Sequence, residues 1–414
     1  MPAIPLSEFK TAQWIWYDRL DWNVYNAYME AYLDFDLPSV SDRADILITA
    51  DSRYRLWING QSVCRGPARG YQDQWPVDSV NIAPYLRTGK NRLSVIVHSY
   101  GIELYYYVHG SRAGLLIAGE IGGLDISTGK QWRVRRAPGY KLVTARLSLQ
   151  QGFQEHFDSR TRKMDEDAPG LDPAADGWRA PHCEPVGVMP WHAFETRDVP
   201  LLKEEIVLPQ SLASTAETRT LAVASQSENV LAPFVDEPWK WRRPADELII
   251  VKSENEFRIQ VPESKKKSTK KKPVARAFVF DFGTEVVGSA ILDIAGTGLS
   301  GATADILVTE GLQPDGLTPV LLRPEEHCRV SMGGRLILSD GRTRHEFFHY
   351  FGFRYLVLII RDADGAFDAG IQLRTVDYDL DIRAAFQSSD ERLNGIWSIS
   401  ERTQRACMQD AYVD

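Results

Sequence analysis

The sequence predicts a mainly β protein: two antiparallel β-sandwich domains of jelly-roll type, followed by one C-terminal amphipathic helix. Three observations carry that expectation. Short runs of β-branched and aromatic residues recur along most of the 414 residues, with Gly, Pro, Asn and Asp between them. One pair of runs, between residues 44 and 70, is joined by Asn59-Gly60, the strongest short-range hairpin signal, because both central positions of a type I′ turn require positive φ. Helical periodicity is strong only from Ser388 onward.

The elements follow in order. Trp14 to Tyr17 and Tyr25 to Leu33 open the chain as strands. Ile46, Ile48 and Ala50 then alternate with Leu47, Thr49 and Asp51, and Tyr54 to Ile58 leads into the Asn59-Gly60 turn. Past it, Gln61 to Arg65 runs into Gly66-Pro67-Ala68-Arg69-Gly70, an Arg-bearing loop too rich in Gly and Pro to extend a strand. Arg92 to Tyr100, Leu115 to Ile121 and Gln131 to Val134 continue the pattern, and many short strands at close spacing read as a sandwich or jelly roll. Asp, Pro, Gly and Trp dominate from Gln151 to Thr196, which predicts a long, partly helical return segment and a first domain over residues 1–200. Arg197 to Leu202 reads as a connector. Strand-like runs resume at Thr218 to Val223 and Glu247 to Val251, and Ala277 to Gly283 opens a second β region that includes the apolar run Tyr355 to Ile360, giving a second domain over 201–385. Between them Lys265 to Lys272 reads as a solvated hairpin loop. In the last part, 386–414, Ser388, Ser389, Asp390 and Glu391 form a helix start, and Leu393, Ile396, Trp397, Ser400, Gln404, Cys407, Met408 and Ala411 fall on one face. No second helix follows to receive that face, so the stretch reads as a helical domain cut off at its start.

Composition narrows the function classes. A net charge of −8 argues against nucleic acid as the main partner. No run reaches the roughly 18 apolar residues of a membrane span. The N-terminus lacks a basic stretch followed by an apolar one, so a cytoplasmic location is expected. Cys64, Cys183, Cys328 and Cys407 are far apart and read as buried free thiols. The 11 Trp, 16 Tyr and 16 Phe suit large sandwiches and sugar-binding surfaces.

Two motifs point toward chemistry that their context opposes. Gly296-x-Gly298-x-x-Gly301 matches a dinucleotide fingerprint, but a strand pattern (Ala302 to Thr309) follows where a helix N-terminus is needed, so a Gly-rich hairpin turn is expected and no cofactor. His345-Glu346-x-x-His349 matches a zinc motif that works on a helix; in this β-type run four residues span about 13 Å, so no metal is expected. Asp51, Glu155, Asp158 and Glu310 lie near turns and read as caps or surface charges.

Five stretches taken together carry a family likeness: Ala50 to Gly60 with Arg65 to Arg69; Gly152-Phe-Gln-Glu-His-Phe-Asp-Ser-Arg160; Arg197 to Pro200; Asp281-Phe-Gly283 through Glu310 with His349 to Tyr355; and Ser389 to Trp397 with Cys407 to Asp414. In this order they resemble the α-L-rhamnosidases of glycoside hydrolase family 78. The resemblance implies a galactose-binding-like N-terminal sandwich, a concanavalin-like sandwich, and the first helix of a catalytic (α/α)6 barrel. It implies inverting hydrolysis of terminal α-L-rhamnosyl residues, with rhamnose-containing glycosides or polysaccharides as partners and no cofactor. Asp414 matches the first residue of the family's Asp-Cys-Pro-x-Arg-Glu run, which binds rhamnose and supplies the general acid, so by resemblance Asp414 contacts sugar hydroxyls. The acid and base belong to positions past Asp414. Inversion needs both, about 6.5–9.5 Å apart with water between, so no catalytic residue is assigned and the 414 residues alone are expected to be inactive. The arginines of the first stretch, Arg53, Arg55, Arg65 and Arg69, are expected to pair with carboxylates at a domain interface rather than to catalyse. The alternative is a freestanding carbohydrate-binding module, for which the unpartnered helix has no use.

Overall fold

The computed structural model describes residues 3–20, 24–105, 107–108, 112–148, 150–161, 177–219, 223–245, 248–263, 274–321, 330–363 and 365–413. The lysine run 265–272, Cys328 and Asp414 lie outside the described residues. Two compact units form: Met1–Leu142 with Gln150–Gly152 and Arg162–Leu202, and Val143–Leu149 with Phe153–Thr161 and Lys203–Asp414. Residues 143–161, which the sequence places in the first domain, therefore contribute chiefly to the second unit.

The first unit is a β-sandwich. Its seven-stranded sheet runs in the order Ala3–Ile4, Phe194–Thr196, Trp75–Asn81, Asp45–Asp51, Gly114–Ala118, Gln13–Trp16, His182–Pro185. The five-stranded sheet runs Arg133–Arg136, Ala27–Leu37, Gly89–Ser99, Arg53–Ile58, Gln61–Gly66. The alternation explains the packing: Ile46, Ile48 and Ala50 from one sheet and Leu56, Ile58, Val95 and Val97 from the other share one buried core. The hairpin turn has the expected backbone, with φ of 50° at Asn59 and 79° at Gly60. The Asn59 side chain also fastens the turn, donating 2.9 Å bonds to the Tyr85 carbonyl and Asn91 Oδ1 and accepting from Arg92 N. The described part of the return segment, expected to be partly helical, holds the strands Glu155–Asp158, His182–Pro185 and Phe194–Thr196 and one short 3-10 helix, Ser159–Thr161. Two of its aromatic residues, Trp191 and Phe194, join the sandwich core, Trp191 stacking on Trp14 at 4.0 Å.

The second unit is built on one strand, Val274–Gly296, that is 23 residues long and serves two layers. Its first part pairs with Ser211–Arg219 and Phe351–Arg361; its last part pairs with Gly341–Glu346 and Phe367–Thr375. The bend lies where the register shifts between Asp281 and Val286, and Gly283 supplies the positive φ of 82° there. The layers face each other through Phe278 against Phe367 and Phe257 against Phe280. The opposite face of the first layer, with Ala275, Ala277, Val279, Val357 and Ile359, is covered by a helix the periodicity did not reveal, Leu231–Asp236, and by Trp239 and Trp241. Burial on both faces accounts for the unbroken apolar run at 355–360. The turn Thr297–Ala302 is not a hairpin: the strands on either side of it, Val274–Gly296 and Thr303–Thr309, do not pair with each other.

The helix Glu391–Cys407 forms as expected, with Asp390 accepting from Arg392 N as its cap. Ser388 and Asn394 lock the entry reciprocally, Ser388 N donating to Asn394 Oδ1 (2.8 Å) and Asn394 Nδ2 to the Ser388 carbonyl (3.0 Å). Among the described residues no helix is long and apolar enough to cross a membrane.

Candidate functional site: a buried carboxylate and histidine centre

Two stretches far apart in sequence, 152–160 and 345–355, meet in the second unit. The strand Glu155–Asp158 adds itself parallel to Gly333–Ile337, with Glu155 opposite Gly334 and Asp158 opposite Ile337. The backbones can approach because Gly334 has no side chain: a Cβ there would stand 2.9 Å from the Glu155 carbonyl oxygen and 2.7 Å from the Phe347 ring. Alternation then turns Glu155 and Phe157 to one face. Glu155 Oε1 lies 2.9 Å from His345 Nε2, and Oε2 accepts from Phe348 N at 2.6 Å. The Phe157 ring stacks on the His345 imidazole with centroids 4.4 Å apart, and Phe347 meets the same imidazole edge-on.

On the other face His156 is also buried, and Gln154 ties the segment to its surroundings. Gln154 Nε2 donates to the Ser331 carbonyl at 2.8 Å and Oε1 accepts from Val230 N at 3.0 Å. Beyond lies a chain of buried charges. Asp305 accepts from Arg335 Nε (2.6 Å) and Nη2 (2.8 Å) and from Arg361 Nε (3.3 Å), and Arg361 Nη1 donates to Glu237 Oε1 at 2.6 Å. Burial alone would raise the Asp305 carboxyl; the adjoining Arg335 and Arg361 guanidinium groups overcome that and hold it below its ordinary 3.8.

This arrangement is closed off from solvent and satisfied by the protein's own groups. The side chains of Glu155 and His345 are 1% and 5% exposed, and the Glu155 carboxylate is surrounded by donors of the protein itself. In the zinc-like motif His345 ends on Glu155, Glu346 pairs with Arg374 at 2.9 Å, and the segment is strand and bend. No group of His, Cys, Asp and Glu suited to a metal occurs among the described residues.

Two carboxylates read from sequence as caps or surface charges are instead fully enclosed. Glu155 is one. Asp51 is the other, accepting from Trp191 Nε1 at 3.1 Å and Ser52 Oγ at 3.2 Å. Asp158 does cap, accepting from Arg160 N and pairing with its guanidinium at 2.7 Å, and Glu310 is exposed. Arg53 lies over the Tyr107 ring and Arg55 over Trp57, which periodicity could not foretell. Cys64 is buried and Cys183 and Cys407 are half-buried, all as free thiols.

The helix Glu391–Cys407 is the second feature of note. None of its residues is buried, and Leu393, Ile396, Trp397 and Ile399 are 47%, 58%, 40% and 68% exposed. Phe386, 43% exposed, stacks on Trp397.

Neither a protein-family model nor a curated protein sequence matches the chain. Solved structures do. A GH78-family rhamnosidase of Bacillus sp. GL1 superposes with a TM-score of 0.76 at 21% identity, over 98% of this chain and 59% of that one. An α-L-rhamnosidase from Dictyoglumus thermophilum gives 0.59 at 18% identity, over 97% of this chain and 40% of that one. The Streptomyces avermitilis α-L-rhamnosidase, solved with L-rhamnose, gives 0.55 at 19% identity, over 94% and 32%. The chain thus spans about three-fifths or less of the length of these structures, and along nearly its whole length it shares their fold.

Proposed function

We propose that this chain is the non-catalytic β part of an α-L-rhamnosidase of glycoside hydrolase family 78. In this reading the enzyme hydrolyses terminal α-L-rhamnosyl residues with inversion, on a helical barrel that begins with Glu391–Cys407. The observation that carries the reading is that helix. Its cap and entry lock fix its geometry, yet its apolar side chains stand in water. An exposed apolar face on an ordered element marks a surface made to be covered. The fold likeness to rhamnosidases supplies the class of enzyme, and the two sandwiches serve as its platform. The carboxylates enclosed in the second unit fit a platform role, since Glu155, Glu237 and Asp305 are all committed to His345, Arg361 and Arg335 rather than open to a glycosidic bond.

The test is direct. The purified 414-residue chain, incubated with an aryl α-L-rhamnoside, is expected to release no aglycone; turnover that follows the chain through purification overturns the reading. Calorimetric titration with rhamnose-bearing oligosaccharides separates it from a freestanding sugar-binding module. A platform gives a flat titration and a lectin-like module gives saturable heat.

A further inference from the structure

Residues 143–161 run through the second unit in two passes, Val143–Leu149 and Phe153–Thr161, while the residues before, between and after them belong to the first unit. The two passes are held to each other by Gln154 N donating to Ala145 O and Thr144 Oγ1 to Gln154 O. Both are also held by the body of the second unit. Ala145 N donates to the Glu228 carbonyl, Ser331 N to the Leu147 carbonyl, and Ser159 Oγ to the Ile337 carbonyl at 2.8 Å.

The receiving surface is shaped for this segment. Gly334 clears room for its backbone. His345 Nε2, Phe348 N and His349 N converge on the Glu155 carboxylate. Asn229, Val230 N and Ser331 converge on Gln154. The His345 ring receives Phe157. Backbone pairing to Gly333–Ile337 extends over four residues only, Glu155 to Asp158. To these backbone bonds the side chains of Gln154, Glu155 and Phe157 add specificity, as side-chain pockets do when an extended peptide pairs with a sheet edge.

We propose that residues 143–161 are a strap, bound by the second unit as an extended peptide of pattern Gln-Glu-x-Phe. Because the strap belongs in sequence to residues 1–202, it holds them non-covalently to residues 203–414, in addition to the peptide bond between Leu202 and Lys203. Glu155 is its anchor: removing the carboxylate leaves buried donors without an acceptor and should weaken the strap about tenfold or more.

The test cuts that one peptide connection in the intact chain. A protease site is inserted between Leu202 and Lys203 and cleaved after folding, so that residues 1–202 carry the strap and 203–414 carry its receptor. The cut wild type is expected to co-elute as one species on dilute size-exclusion chromatography. The Gln154→Ala/Glu155→Ala variant should release the C-terminal piece at least tenfold faster. Asp158→Asn should behave as wild type, because that carboxylate is spent on the neighbouring Arg160. Separation of the wild-type pieces overturns the proposal, and so does equal retention in the double variant. Should the uncut double variant fail to unfold cooperatively, the cut wild type is challenged with excess synthetic peptide of residues 143–161. Displacement then supports the strap and its failure overturns it.

Discussion

In the first unit the largest fully buried side chains are five tryptophans, Trp14, Trp16, Trp75, Trp132 and Trp191; in the second the largest is an arginine, Arg361. The difference extends outward from those residues. The first unit also encloses carboxylates, Glu30 with Arg135, Asp78 with Arg197 and the Tyr54 hydroxyl, and Asp51 with Trp191 and Ser52. The second links Arg335, Asp305, Arg361 and Glu237 in one continuous chain within its core. An aromatic core resists through area removed from water, which tolerates changes of charge elsewhere. A buried ionic chain is stable only while every member is present and in its charged form. Two sandwiches of one polypeptide should therefore fail under different insults.

The largest effect that tests this contrast is Arg361→Ala. It removes the cation that Asp305 and Glu237 share, leaving Asp305 with Arg335, and should cost about 3–5 kcal/mol, the usual penalty for breaking a buried pair from one side. Hydrogen exchange should quicken in Thr303–Thr309 and Phe351–Arg361 and stay unchanged in Gly114–Ala118; equal loosening of both units would dissolve the comparison.

Acid should come next. In the second unit Asp281, Asp293 and Asp305 all titrate below their ordinary 3.8 in the folded state. In each case burial opposes ionisation and neighbouring arginines outweigh it. A depressed folded value means that these groups stabilise the fold above about pH 3.8 and that this contribution is lost as pH falls through their still lower folded values. Segment-resolved exchange at pH 3 and pH 5 should show a larger loss of protection in Thr303–Thr309 than in Gly114–Ala118.

The smallest effect sharpens the comparison from the other side. Asn59→Ala removes two donated bonds and forces a Cβ-bearing residue without Asn's tolerance into φ 50°, a cost of about 1–2 kcal/mol. Its signature in exchange should be confined to Arg53–Ile58, Gln61–Gly66 and Gly89–Ser99.

Much of the fold was legible because it rests on local rules. Alternation at 46–51 set the inward face, Asn59-Gly60 set the hairpin, and the acid-rich start at Asp390 set the helix. The strap was not legible, because nothing in Gly152-Phe-Gln-Glu-His-Phe-Asp says that its partner lies 190 residues away at His345; an isolated Glu near a turn has the same local appearance whether it caps, solvates or anchors. The helix Leu231–Asp236 escaped for a related reason, since six residues are too few to establish a period. The dinucleotide-like glycines were read correctly as a turn and wrongly as a hairpin, since turn chemistry fixes a local bend while strand partners are chosen across the whole sheet. Of the candidate site, the two halves were visible as motifs and only the fold could join them.

The bent strand Val274–Gly296 has a consequence for the order in which the protein can be made. Its partners are drawn from Ser211–Arg219 before it and from Gly341–Glu346, Phe351–Arg361 and Phe367–Thr375 after it. During synthesis its upstream partner can join it at once, its next partners follow with Gly341–Glu346 and Phe351–Arg361, and its last edge stays open until Thr375 has emerged. For that interval Phe278, Val279, Phe280 and Ile291 through Ile294 form an uncovered, β-prone ribbon of high contact order. The second unit thus completes its sheet only late in synthesis, and the unfinished chain exposes more unpaired β edge than the folded one.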